Sequence, residues 1–387
     1  MGRGCVMGVF KKMAGHWRVR RSAVIFVGTG ALAVIGSAGA LVAPAAAAPA
    51  LATRERAAAS VPADRAYPIL FDNGDESGTG LVTDLGPTWD VSLKVKGATL
   101  IAVARNGKFA YVSASGGLAV ISGVNTAKPK VATTVNTGGA PQGVAVTPNG
   151  SYVLVVTNTS RNGVVKEYSG ASTGKLKLVA SVNTSPSTAA ALAITPDGKY
   201  AYTTVSNYGN YYLLTEIGGV GTTHLKIAKN IGVAGYPEQV TVSPNGNYVY
   251  EVSNMGVYGG IQVFRNAQTT NPVSATGIGG SAPGGVEAVA ISPNGHWGYA
   301  PWAPGRQIVI SGAQSSPKQA AVLKLSYDTG TLAFQPGGDY AFAPASNSAY
   351  THGYILVLSG ASADHVKVAA TWRLPYIPTE LVVSPVK

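Results

Sequence analysis

Glu238, Glu287 and Glu380 each stand just ahead of a short apolar run, and Gln142 and Gln239 occupy neighbouring points of the same kind of run. Carboxylates that converge on a common axis raise one another's pKa, which suits them to acid–base work or to holding a divalent cation. Their other use is structural: they can accept from backbone N–H groups of a neighbouring strand or order a string of waters. A second set is aromatic. Tyr208, Tyr211, Tyr258, Trp302, Tyr350 and the imidazole of His352 sit among Asn, Gly and Ser, with Arg161 and Arg306 close by in the pattern. Rigid rings beside adaptable amides suit recognition of a glycan or an extended peptide. The competing role for these rings is to cap packing between sheets. A third set, Asp72, Asp75 and Glu76, forms the densest acidic cluster, but it lacks the full spacing of a calcium loop and reads first as a solvated turn.

Other catalytic patterns are poor. Gly170-Ala171-Ser172-Thr173-Gly174 matches G-x-S-x-G, yet it falls in a hairpin rather than on a strand-to-helix elbow. His224, His296, His352 and His365 lie in different kinds of segment, which disfavours a triad or a histidine-rich metal site. The single cysteine, Cys5, excludes a disulfide scaffold and a cysteine-based zinc site.

The elements that position these groups are set by a repeat. The form apolar-x-apolar-[Thr/Ser]-Pro-[Asn/Asp]-Gly-x-aromatic recurs as VAVTPNGSYVL from Val144, LAITPDGKYAY from Leu192, VTVSPNGNYVY from Val240 and VAISPNGHWGY from Val289. Degenerate copies begin at Ile101 and Leu332, and a truncated one, LVVSPVK, ends the chain. The markers at 106, 149, 197, 245, 294, 337 and 386 are 43 to 49 residues apart, the period of a four-stranded propeller blade. Within a unit, the apolar run is a central strand and Pro-Asn-Gly is a turn. The aromatics that follow alternate at period two along a second strand. The third strand ends in Ser-Gly four times, at Gly123, Gly170, Gly312 and Gly360. Residues 66–95 read as second to fourth strands without a first, and the last copy stops after its first strand. Joining the two closes the ring with a blade shared between the termini.

The runs TPNGSYVLVVTN, TPDGKYAYTTVSN and SPNGNYVYEVSN resemble the YVTN repeat of seven-bladed β-propellers, a family related to propeller lactonases that resemble 6-phosphogluconolactonase. The resemblance implies an all-β, seven-bladed β-propeller of four-stranded antiparallel blades and an extracellular habit. It transfers no catalytic residue, because the motif consists of turn and packing positions. In such propellers the loops before first strands and those between second and third strands share one face. The carboxylate and aromatic sets therefore fall together near the channel mouth, and the Pro-Asn-Gly turns fall on the opposite face.

Composition agrees with a strand-rich globular chain: 46% hydrophobic, 12% charged, 49 Gly and 19 Tyr. Six basic and no acidic residues among the first 22, followed by an apolar stretch from Ala23 to Ala43, read as an export signal at 1–52, cleaved near Ala50-Leu51-Ala52. An uncleaved anchor is the rival reading. Arg20-Arg21 leaves the twin-arginine route open beside the general secretory one. An Ala-rich linker follows at 53–65, and the propeller spans 66–387. The formal charge of +12 falls to +6 without the leader, and its lysines are scattered along the chain, which disfavours a nucleic-acid partner. The expectation is a secreted or wall-associated monomer without a membrane span after cleavage. It would bind an extracellular glycan, peptide or protein without turnover and without a cofactor. The alternative is a lactonase-like hydrolase using Glu238, Glu287 and Glu380, with a divalent cation as its one candidate cofactor.

Overall fold

The computed structural model describes residues 68–72, 79–85, 90–124, 126–160, 162–185, 187–207, 211–255, 258–283, 285–302, 305–363, 365–374, 376–378 and 380–383, all within the compact unit Thr53–Lys387. The expected leader, its cleavage point and the linker lie outside the described residues. Among the described residues no helix is long and apolar enough to cross a membrane.

Every strand belongs to an antiparallel sheet that follows the repeat. β1 (Pro68–Asp72), β2 (Thr79–Leu85) and β3 (Asp90–Lys96) precede the first marker. One sheet is β4 (Leu100–Val103), β5 (Phe109–Ala114), β6 (Gly117–Ser122) and β7 (Lys130–Val135); the next is β8 (Ala140–Val146), β9 (Tyr152–Asn158), β10 (Gly163–Ser169) and β11 (Lys177–Ser185). Then come β12 (Thr188–Ile194), β13 (Tyr200–Asn207), β14 (Tyr211–Gly218) and β15 (Lys226–Gly232), followed by β16 (Tyr236–Val242), β17 (Tyr248–Met255), β18 (Tyr258–Arg265) and β19 (Val273–Pro283). β20 (Ala290–Ile291), β21 (Trp297–Trp302), β22 (Arg306–Ser311) and β23 (Lys318–Lys324) make another. The last full unit holds β24 (Asp328–Thr329), β25 (Ala333–Phe334), β26 (Tyr340–Ser346), β27 (Gly353–Ser359) and β28 (Lys367–Leu374). β29 (Glu380–Val383) pairs with β1, Leu381 opposite Leu70, and gives the order β29-β1-β2-β3. First strands pack on one another around an axis: β8 lies beside β4 and β12, β12 beside β16, and β29 beside β4 and β25. The fold is an all-β propeller of four-stranded antiparallel blades.

The expected count of seven four-stranded blades is corrected to six. In the sheet of residues 328–374 the first strand is broken into β24 and β25, both paired to β26. The register places Pro344 of β26 opposite the break. Proline has no N–H to give the ladder, and only Gly330 N to Pro344 O survives there. The two-residue β20 has the same cause. Pro301 stands in β21, and pairing resumes only as the isolated bridge Val286–Trp302.

The repeat motif does its work between blades. In the turn after β8, Thr147 Oγ1 donates to Asn149 Oδ1 (2.7 Å), which accepts from Ser151 N (3.0 Å), and Gly150 takes φ +71°. Ser243/Asn245 and Ser292/Asn294 repeat the arrangement. The asparagine amide is then free to reach the following blade. Asn106 Nδ2 donates to Ser172 O (2.8 Å), Asn245 Nδ2 to Gln314 O (2.9 Å) and Asn294 Nδ2 to Ser362 O (2.8 Å). Two strand positions on, buried tyrosines do the same. Tyr202 donates to Ala267 O (2.8 Å), Tyr250 to Ala313 O (2.6 Å) and Tyr111 to Ala171 O. Where β9 carries Leu154 in that place, Glu167 opposite it on β10 accepts from Gly221 N of the next blade (2.6 Å). Hydrophobic clusters fill the space between these bonds, for example Tyr250, Val252 and Ile261 against Ile308 and Ile310.

Tyr250→Phe removes one clasp and leaves the Ala313 carbonyl buried without its donor. Urea unfolding should show a loss of about 1–3 kcal/mol with an unchanged m-value.

Candidate functional site

The strand registers place the start of each first strand opposite the end of each second strand. Ala140 faces Asn158, Thr188 faces Ser206, Tyr236 faces Asn254 and Glu380 faces Phe71. The carboxylate and aromatic sets therefore share one end of the blades. Three consecutive blades carry a bulge there. Gln142 is the extra residue of β8 and Glu238 that of β16, while in β12 Ala191 takes the place with φ +38°. A bulge turns its side chain out of the ladder, and Glu238 is exposed while Gln142 is half-buried.

Two of the expected mouth residues are spent on inter-blade bonds. Gln239 Oε1 accepts from Val289 N (3.3 Å) and its Nε2 donates to Thr241 Oγ1 (2.8 Å), which in turn donates to Val289 O (2.8 Å). Glu380 accepts from Ile101 N in the same manner. Burial drives its carboxyl up to about 8 against that hydrogen bond, and Oε2 is enclosed with no hydrogen-bond partner among the described residues. Glu287 is half-buried beside Val286. Among the described residues, no group of three or more His, Cys, Asp or Glu stands close enough to hold a metal ion.

A carboxylate that motif reading passes over completes the site. Glu251 on β17 is buried, and its pKa is pushed up to about 7. Desolvation is the main cause, a hydrogen bond from Ser253 Oγ (2.5 Å) opposes it, and the charge of nearby Glu238 adds to it. Its Oε2 has no hydrogen-bond partner among the described residues. Glu238 itself accepts from Asn254 Nδ2 (3.3 Å), and Asn254 abuts Gly285 in the loop entering the next blade. One carboxyl raised to near neutrality stands beside one that is exposed. The sequence does carry a signal for Glu251: the sixth residue after each marker is Val112, Val155, Thr203, Ala300 or Ala343 in other units, and only this unit puts a charge there.

The aromatic set divides. Trp302 and Arg306 face each other across the β21–β22 pair, with the guanidinium carbon 5.0 Å from the ring centroid, next to the Val286 bridge and hence near Gly285 and Glu287. Tyr211 instead exchanges a hydrogen bond with Ser187 Oγ (2.8 Å). Tyr350, in the left-handed region at φ +54°, donates to the buried Asp328 carboxylate. His352 meets Thr351 Oγ1 through Nδ1 (2.9 Å) and is half-buried. These contacts tie rings to the scaffold. Arg161, Tyr208, Asp75 and Glu76 lie outside the described residues, as do the side chains of Asp72 and Tyr258.

No protein-family model matches the chain, and no curated protein matches it. Solved structures do. A functionally unknown protein from Desulfotomaculum acetoxidans superposes with a TM-score of 0.64 at 13% identity, covering 83% of this chain and 99% of its own. A protein from Bacteroides uniformis named, provisionally, as a 6-phosphogluconolactonase gives 0.61 at 16%, with coverages of 83% and 99%. The periplasmic gluconolactonase of Pseudomonas aeruginosa gives 0.52 at 13%, covering 83% and 99%. The likeness is one of fold. At these identities it carries no residue role across, and the expected membership of the YVTN family stays a resemblance of motif.

The raised carboxyls make stability depend on pH. Glu251 and Glu216 are raised by burial to about 7 and Glu380 to about 8, from a usual 4.5. Between 4.5 and these values the folded chain binds more protons than the unfolded one, so their contribution is full below pH 4.5 and is lost as pH rises through 7 and 8. Urea titrations across this range should show stability falling with pH. Glu380→Gln, which keeps an acceptor for Ile101 N, should flatten the upper part of that fall.

Proposed function

We propose that the chain is an exported propeller that binds an extracellular carbohydrate, without turnover, at the blade end that carries Trp302, Arg306, Asn254 and Glu238. The observation that carries this reading is the Trp302–Arg306 stack. An indole beside a guanidinium offers a flat apolar surface with donors at hand, and the amide of Asn254 and carboxylate of Glu238 at the same blade end supply the polar contacts that sugars need. Tyr211 and Tyr350 are engaged by Ser187 and Asp328 and act as scaffold. Export is inferred from the basic and apolar composition of residues 1–43.

The Glu251–Glu238 pair favours a second reading, a lactonase-like hydrolase. A carboxyl raised to about 7 is an acid near neutral pH, and the solvated Glu238 beside it is a base. Propellers named as lactonases share the fold, which supports this reading as analogy only.

Isothermal titration against a panel of soluble glycans separates the two. Trp302→Ala should weaken binding by about 1–3 kcal/mol and Glu251→Gln should leave it within threefold. An unaltered affinity in Trp302→Ala would remove the binding reading. Under the hydrolase reading, lactone hydrolysis appears with a pH limb near 7 that vanishes in Glu251→Gln.

A further inference from the structure

Nine of the lysines that look scattered along the chain, Lys108, Lys128, Lys130, Lys175, Lys177, Lys199, Lys226, Lys318 and Lys367, are gathered by the fold onto the end of the blades opposite the candidate site. The registers define a rung at that end of five blades: an aromatic on the second strand, a small residue on the third and a lysine opening the fourth. Phe109, Ser122 and Lys130 form one rung, and Tyr152, Ser169 and Lys177 the next. Tyr200, Gly218 and Lys226 follow, then Trp297, Ser311 and Lys318, and Tyr340, Ser359 and Lys367. In a sixth blade Tyr248 faces Arg265, which supplies the cation from the third strand, and the blade closed by β29 departs from the pattern, with Asp90 opening its fourth strand opposite Leu85. In the Gly218 rung the lysine stem lies beside the small residue: a Cβ on Gly218 would stand 3.7 Å from the Tyr200 ring and 3.9 Å from Lys226 Cε. All six rung cations are exposed, and the turns at the same end expose five more, Arg105, Lys108, Lys128, Lys175 and Lys199. The exposed acids of the described turns there are Asp197 and Asp339.

We propose that this basic end is a docking surface for an anionic lipid bilayer. The charge demands a polyanion, and three further features select a membrane among polyanions. Beside the rung lysines stand Val131, Leu178 and Val368, 39%, 48% and 46% exposed, three of the five large apolar side chains that the described residues expose. Lysines paired with exposed apolar residues suit a headgroup layer, where ammonium groups meet phosphates and short apolar side chains enter the interface. The rung aromatics are half-buried and leave no free ring on which nucleobases would stack. The cations are mainly lysines, which act as point charges on phosphate, rather than arginine forks that read a defined geometry. The arrangement leaves the opposite end, with Trp302 and Glu238, facing away from the bilayer.

The experiment compares the full chain with two variants of equal net charge. One carries Lys130→Gln, Lys177→Gln, Lys226→Gln and Lys367→Gln. The other carries Lys94→Gln, Lys96→Gln, Lys324→Gln and Arg373→Gln on exposed strand positions away from the rungs. All three share the same basic leader, and circular dichroism with thermal melting confirms folding of each. Co-sedimentation uses vesicles of phosphatidylglycerol and phosphatidylcholine, and of phosphatidylcholine alone. The proposal expects the rung variant to lose at least about thirtyfold in partition to anionic vesicles, with the control variant within about threefold of wild type. It also expects the rung-dependent part of binding to disappear at about 0.5 M salt. Equal losses in both variants, no loss in either, or no preference of the wild type for anionic vesicles would overturn it. Rung-dependent binding to soluble polyphosphate without rung-dependent binding to vesicles would also overturn it, in favour of an anionic polymer.

Discussion

A strand can satisfy only the strands beside it, so nothing in the backbone ladders ties one blade to the next. That tie is made by side chains. The turn asparagine and the buried tyrosine of one blade both donate to carbonyls of the turn that follows the third strand in the next. Each bond is worth only about 1 kcal/mol. Its consequence is larger, because it fixes the angle at which apolar faces such as Tyr250, Val252 and Ile261 meet Ile308 and Ile310. The Pro-Asn-Gly turn exists in this form because threonine or serine holds the asparagine oxygen and leaves its amide free to cross to the neighbour.

Departures from the clasp are informative. Asp197 has no amide to donate, and the neighbouring blade compensates with Gln268, whose Oε1 accepts from Asp197 N and whose Nε2 donates to Asn245 O. Leu154 has no hydroxyl, and Glu167 accepts from Gly221 N instead, at the cost of a buried carboxyl whose pKa is raised. On the inner strands, Gln239 and Glu380 play an equivalent part toward Val289 and Ile101. Glu380, which looks catalytic in isolation, is therefore a joint, as is Glu167. Glu251 differs: it sits at a position that is Val, Ala or Thr elsewhere in the repeat, its Oε2 has no partner among the described residues, and its neighbour is the solvated Glu238.

The two ends of the blades have separate physical characters for a topological reason. Loops entering first strands and loops between second and third strands gather bulges, carboxylates and the Trp302–Arg306 stack. Turns at the other end are constrained by the clasp, so their variation is confined to outward positions, and Arg105, Lys108, Lys128, Lys175 and Lys199 occupy five of these. Binding chemistry and electrostatics thus segregate to opposite ends without either disturbing the joints between blades.

The strands, their four-fold grouping and the closing pair of β29 with β1 were legible in the sequence, because a 43- to 49-residue period and Pro-Asn-Gly turns are local signals. The break between β24 and β25 was written there too, as Pro344 in the partner strand, but a proline disrupts a first strand only through a register that folding sets. Roles of side chains were not legible. Glu238 and Glu380 look alike ahead of their strands. Yet a bulge turns one outward while the other finds Ile101 N, and only three-dimensional pairing distinguishes them. Glu251 beside Glu238 and the ring of lysines share that origin. Residues 13 or about 48 positions apart become neighbours through sheet register and blade rotation, a geometry that composition and spacing do not contain.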